Sequence, residues 1–362
     1  MMMKFMALLA LLTAASADAQ TARLAGDLPR KEARPLQRIA GLETEYGAVR
    51  TSEGYRLRTI LTRPSGSRQR LPAIFLTQWV SCNSLDFDGE RPGLLRDIAQ
   101  QSGTVLIRVE RAGTGDSEGP ACSELDYDTE VRHYREALDQ LARHRWIDPG
   151  RIVIFGSSLG ATTAPLVAQG RKVAGVVVQG GGAVTYLERM IAFDRFYLER
   201  SGKYAPGAIH EEMVKRIAFH VEYLIGGKTP GQIARDRPDL AGVWAGTRGG
   251  AEAPPHYGRP YAWHWQAAKK DFLEAWTKIG APVLVFYGEY DQFEARHGHR
   301  LIVDTLNTLR PGSATYTEVP KADHDLELYA TAEDAYAYRN PQVRRELFVA
   351  PMIAWLRKVT AR

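Results

Sequence analysis

Cysteine is scarce in this chain, and long hydrophobic runs are scarcer. Cys82 and Cys122 are the only two cysteines in 362 residues, too few for a disulfide-scaffolded mini-domain or a cysteine-rich zinc site. The apolar run from Phe5 to Leu12 is too short to cross a bilayer, and no later run reaches that length, so no membrane span is expected in the mature protein. Internal repeats and low-complexity tracts are absent, which excludes solenoids and disordered linkers. Neither sign of charge dominates. The net charge is +5, and the basic residues are scattered instead of forming a tract, which argues against nucleic acid as a partner. The remainder is ordinary globular composition, 44% hydrophobic and 25% charged, enough for one large domain with an insertion or for two domains.

The first residues, MMMKFMALLALLTAASADAQ, combine Lys4, the apolar run and a small-residue site at Ala17-Asp18-Ala19. Residues 1–19 therefore read as a secretory signal peptide, and the mature protein is expected outside the cytoplasm, in periplasm or medium. Its removal takes away one base, Lys4, and one acid, Asp18, and leaves the net charge unchanged. An exported chain with two cysteines invites a Cys82–Cys122 disulfide. Both follow expected strands, in loops that open on the same edge of a sheet. Two free buried thiols are the alternative.

Residues 20–40 are polar and Arg-rich with Pro29 and Pro35, and read as a leader lying over the surface. Glu43 to Arg63 reads as a hairpin around Ser52-Glu53-Gly54. Short apolar runs follow at Ala73–Thr77, Thr104–Val109, Arg151–Phe155, Val173–Val178, Pro282–Tyr287 and Thr315–Val319, alternating with helical patterns. Runs apolar on both faces and separated by helices imply a mostly parallel, twisted sheet covered on both sides, an α/β protein. Val131, Tyr134, Leu138 and Leu141 share one helical face, which Asp148-Pro149-Gly150 is expected to end. Ala161, Ala164 and Leu166 give a helix a small face, and Pro165 predicts a kink or an early end. Pro341 and Pro351 each suit a first helical turn, which predicts two C-terminal helices. Residues 187–281 are too long for a simple crossover and are rich in aromatics, including Trp244, Tyr257, Tyr261, Trp263 and Trp265. They are expected to form a helical cap over the carboxyl edge of the strands, with residues 41–186 and 282–362 forming the core.

The chemistry enters at Arg151–Gly160, RIVIFGSSLG. A G-x-S-x-G pentapeptide where a buried strand hands over to a helix sets Ser158 on a sharp turn as a candidate nucleophile; Ser157 competes only if the turn shifts by one. The amide of Leu159 and the N-terminus of the following helix would face a developing oxyanion. A serine nucleophile needs a base and an acid to orient it. Asp291 follows the strand ending at Tyr287, and His324 follows the strand ending at Val319. Asp291 is the candidate acid, with Glu289 and Glu294 as alternatives, and His324 is the candidate base. The second oxyanion donor is expected in the loop after Ala73–Thr77, which reads Gln78-Trp79-Val80-Ser81-Cys82.

Taken together, the Ser, Asp, His order, the elbow and the segment Glu110-Arg111-Ala112-Gly113-Thr114-Gly115-Asp116-Ser117-Glu118-Gly119 resemble the serine α/β-hydrolases. Within these, the chain is similar to the exported branch related to S33-type aminopeptidases and the cocaine-esterase/X-Pro dipeptidyl-peptidase group. Ala112 stands where glycine is usual in that signature, and Gln78-Trp79 where His-Gly is usual; alignment to that pattern implies the Val80 amide as the second oxyanion donor, with Trp79 next. The resemblance implies the α/β-hydrolase fold and serine hydrolysis without a cofactor. The Gly-rich segment suits a bracing role at the nucleophile loop. His297-x-His299 on an expected helix turns its rings to different faces, which argues against a metal site. The aromatics from His256 to Trp265 suit either an acyl pocket or core packing. The leading substrate class is carboxylic esters, with short peptides next. A non-catalytic binding protein on the same fold, and acyl transfer to an acceptor other than water, are the competing readings.

Overall fold

The computed structural model describes residues 24–25, 28–31, 35–86, 93–248 and 256–361. The signal-peptide expectation, residues 1–19, lies outside the described residues. Eight strands form one sheet: β1 (Leu42–Arg50), β2 (Arg56–Pro64), β3 (Leu71–Thr77), β4 (Val105–Val109), β5 (Ile147–Ser157), β6 (Gly175–Gln179), β7 (Val283–Gly288) and β8 (Ala314–Val319). Their order is β1-β2-β4-β3-β5-β6-β7-β8. β2 runs antiparallel to both β1 and β4, and the pairings from β4 to β8 are all parallel.

The doubly apolar runs explain the layers. Along β3, Ala73 and Phe75 enter one core while Ile74 and Leu76 enter the other, and β5 splits likewise, Ile152 and Ile154 against Val153 and Phe155. Helices α1 (Leu94–Gln101), α2 (Tyr127–Leu141) and α3 (Gly160–Ala168) follow β3, β4 and β5. Tyr134, Ala137 and Leu138 of α2 and the small residues Ala161 and Ala164 of α3 close the first core, and Ile98 of α1 packs in the second. Asp126 caps α2 by accepting from the Thr129 amide at 2.9 Å. Because α3 begins against β3, it has no room for side chains there: a Cβ on Gly160 would lie 2.0 Å from the Thr77 carbonyl oxygen.

Between β6 and β7 the chain forms α4 (Tyr186–Arg200), α5 (Pro206–His220), α6 (Pro230–Asp236), α7 (Ala241–Arg248), α8 (Tyr261–Ala268) and α9 (Phe272–Thr277). Met190, Phe219, Tyr223, Trp244 and Trp263 build a third apolar cluster there. Then α10 (Arg296–Leu309) follows β7, and α11 (Ala332–Tyr336) and α12 (Glu346–Val359) follow β8. No helix among the described residues is long and apolar enough to cross a membrane.

Several expectations are corrected. The stripe helix stops at Leu141, and Asp148-Pro149-Gly150 lies inside β5, whose register against β3 shifts there. Pro341 starts no helix; its neighbour Gln342 bridges to Leu328. Pro351 lies within α12 instead of starting a helix. The carbonyl it leaves without a partner belongs to Leu347, on an exposed face where water can serve it. The leader is not merely superficial either: Leu28 is buried, and Arg30 sinks its guanidinium 2.9 Å from Asp86.

Candidate active site

Ser158 sits in the turn between β5 and α3 with φ of 54°, a left-handed conformation that a non-glycine residue holds only when its surroundings over-determine it. Here the turn is clamped. The Ser158 amide donates to the Gln179 carbonyl at 2.8 Å, and the Ser157 hydroxyl donates to the Gln179 side-chain oxygen at 3.0 Å. The amide group of Gln179 in turn donates to the carbonyl of His324.

From that turn a hydrogen-bonded line runs to the loops after β8 and β7. His324 Nε2 is 2.9 Å from Ser158 Oγ, and His324 Nδ1 is 2.9 Å from Asp291 Oδ2. Asp291 Oδ1 accepts the amides of Phe293 and Glu294, each at 2.8 Å. Burial works to raise the pKa of the Asp291 carboxyl, but His324 and the bonded amide of Glu294 outweigh it, with His299 adding, and hold it below the ordinary range. An ionised carboxylate only accepts, so Nδ1 carries a proton and, in the neutral ring, Nε2 is left to accept from the serine hydroxyl. Burial opposes charge on His324, yet Asp291, with Glu294 and Asp325, overrides it and pushes the imidazole pKa up to about 9. Phe293 packs edge-on to the ring, centroids 5.1 Å apart.

The two alternative acids sit elsewhere. Glu294 is buried and ion-paired with Arg189, and the Glu289 carboxylate accepts the Lys321 amide at 2.8 Å. Ser157 bonds to Gln179, not to His324. His297 is exposed while His299 is buried, with Nδ1 3.0 Å from the Ala295 carbonyl oxygen.

Leu159 follows the serine in the chain, and Val80 lines the same cavity as Ser158. Among the described residues neither amide donates to a protein acceptor. The loop carrying Val80 is shaped by a residue that sequence reasoning placed only in a bracing motif. Arg111 Nη2 donates to the carbonyls of Gln78 and Trp79 at 2.9 and 2.5 Å, and its Nη1 donates to that of Ser81 at 2.8 Å. Three carbonyls turned toward one guanidinium direct the intervening peptide units, and Glu130 anchors that guanidinium through Nε at 2.6 Å. Glu130 also accepts from Arg259 and, at 3.1 Å, from Trp263 Nε1. Cys82 and Cys122 form a disulfide, tying the end of the same loop to the segment after β4.

The rest of the Gly-rich segment does not brace the nucleophile turn. Glu110 accepts the Leu85 and Asp116 amides at 3.1 and 2.9 Å, and the Ser117 hydroxyl accepts the Arg58 amide at 2.9 Å. It therefore ties β2 to the stretch before residue 87. Ser158 and His324 open into a cavity of about 510 Å³, walled in part by Trp79, Val80, Phe193, Tyr257 and Phe293. Of the aromatics between His256 and Trp265, Tyr257 lines this cavity and Trp263 is core; the side chain of His256 lies outside the described residues.

The chain belongs to the alpha/beta hydrolase family, which matches residues 79–337, and the expected fold class holds. A polyketide transferase, ATR5 of Stachybotrys chlorohalonatus, is 35% identical over 143 residues, 39% of this chain and 45% of the relative. The chain thus spans less than half the length of that curated relative. The solved structure of DcsB in complex with its substrate analogue superposes with a TM-score of 0.53 at 17% identity, over 88% of this chain and all of that one. The Pyrococcus furiosus esterase PF2001 gives 0.51 at 11% identity, over 90% and 97%. These two likenesses show the fold alone. The S33-type and cocaine-esterase assignment rests on the sequence motifs.

Proposed function

We propose that the protein is an exported serine hydrolase that cleaves carboxylic esters through an acyl-enzyme. One observation carries the reading: the unbroken Ser158–His324–Asp291 hydrogen-bond line, which opens into the cavity. His324 Nε2 takes the proton from Ser158 as Oγ attacks the ester carbonyl carbon. Asp291 steadies the imidazolium, and the amides of Leu159 and Val80 hold the oxyanion. The C–O bond to the leaving alcohol then breaks, and the alcohol departs with the proton from His324. Water repeats the sequence to release the acid and free the serine. No cofactor enters these steps. Residues 187–281 act as the cap that selects substrate, a reading supported by Arg189, Phe193 and Tyr257 of that interval lining the cavity. Export is supported by the N-terminal pattern and fits the disulfide.

Transfer of the acyl group to an acceptor other than water is the second reading, favoured by the name of the 35% identical relative. The same acyl-enzyme serves both. The test is labelling of the mature protein with a fluorophosphonate probe, beside ester and aminoacyl-amide panels, with and without added alcohols. Labelling and ester turnover that vanish in Ser158→Ala support the hydrolase. Acyl products on the added alcohol favour the transferase, and amide turnover above ester turnover favours the S33-like peptidase. No labelling and no turnover would mark a binding protein.

A further inference from the structure

The cavity holds one buried cation whose partners do not exhaust it. Arg189, at the first turn of α4, is buried and lines the same cavity as Ser158 and His324. Its Nε and Nη2 both go to a single oxygen of Glu294. Its Nη1 meets only the Sδ of Met190 at 3.8 Å among the described residues, a weak acceptor for a guanidinium donor. A buried donor without a polar partner is costly unless something supplies one. The walls near it are apolar: Phe193 stacks on Phe293 with centroids 5.8 Å apart, and Tyr257 stands on the same cavity.

We propose that Arg189 reads a second, neutral carbonyl oxygen on the substrate, so that oxo-esters are preferred over plain alkyl esters of the same length. The proposal rests on the reading of Ser158 as nucleophile. Charge decides the class of ligand. Glu294 already neutralises Arg189, the other cations there, Arg345 and the protonated His324, are paired with Asp97 and Asp291, and Asp325 and Glu327 add two carboxylates to the lining. A carboxylate would enter an environment already rich in anions. A ketone oxygen would accept from Nη1 without adding charge, and the aromatic walls would cover the neighbouring methylenes.

The experiment compares kcat/KM for p-nitrophenyl levulinate, valerate and monosuccinate, the next longer homologues, and esters with the keto group on the alcohol side. The protein should favour a keto ester over its methylene counterpart by about tenfold to a hundredfold, the range of a hydrogen bond to a charged group, and should turn over the monosuccinate poorly. The double substitution Arg189→Met with Glu294→Gln, which leaves no unpaired buried charge, should bring the ratio of the paired esters to about one. Arg189→Lys should keep part of the preference. A wild-type ratio near one in every pair overturns the proposal whatever the variants do, as does a ratio that survives the double substitution, or a preference for the monosuccinate. If nothing is hydrolysed and Ser158 takes no probe, the nucleophile reading fails, and this proposal with it.

Discussion

Arg111 holds the loop that carries Val80 by donating to three of its carbonyls, those of Gln78, Trp79 and Ser81. The loop's peptide orientation therefore depends on one buried guanidinium, itself fixed by Glu130. Arg111 touches no reacting atom in the proposed mechanism, so it is a positioning residue.

Arg111→Met leaves Glu130 with Arg259 but frees three carbonyls. Loss of a buried pair member costs about 3–5 kcal/mol, read as a lower urea midpoint. Loss of one oxyanion donor costs roughly 10²–10³ in kcat, so kcat should fall by at least tenfold while KM changes little, and Arg111→Lys should recover part of it. A variant that loses stability but keeps kcat would show that the clasp is purely structural.

Asp291 sets the pH response. The His324 pKa is pushed up to about 9 because Asp291 outweighs burial, and a protonated ring cannot accept the serine proton. Hence kcat/KM should climb as pH rises toward 9. In Asp291→Asn burial acts unopposed by the carboxylate, so the limb should move acidic while kcat drops by roughly 10⁴. pH–rate profiles of the two proteins check this. A wild-type limb centred at the ordinary histidine value, or an unmoved limb in the variant, contradicts it.

The disulfide spans a sequence separation of 40, for which loop-closure entropy gives about 4 kcal/mol. Cys82→Ala with Cys122→Ala should lower unfolding stability by up to that amount in urea titrations. Because Cys82 ends the Val80 loop, kcat should fall too, while the fluorophosphonate probe still reacts with Ser158. Unchanged stability on removing both cysteines would contradict the role.

Much of this fold is legible in the sequence. Apolar runs such as Ile152–Phe155 must be buried on both faces, and the sheet with its helical layers follows from that. What stayed hidden depends on contacts between distant parts of the chain. Gln179 links the Ser158 turn to His324 across 145 residues; its only trace in the sequence is a polar residue closing the run Val176–Val178. Arg111 stood only within the Gly-rich motif, and the sequence carried no signal for Glu130 or Arg259, because nothing local reveals that a charge has a buried partner. Pro351 misled for a different reason, since a proline inside a helix costs less where the turn before it, here at Leu347, is exposed.

The central claim is that the hydroxyl at 158 becomes acylated, and mass analysis of the protein quenched during p-nitrophenyl acetate turnover tests it most directly. The account predicts one acetyl group on the peptide containing Ser158, absent in Ser158→Ala together with turnover. Ester hydrolysis that persists in Ser158→Ala, or an acetyl group found only on another residue, would contradict it.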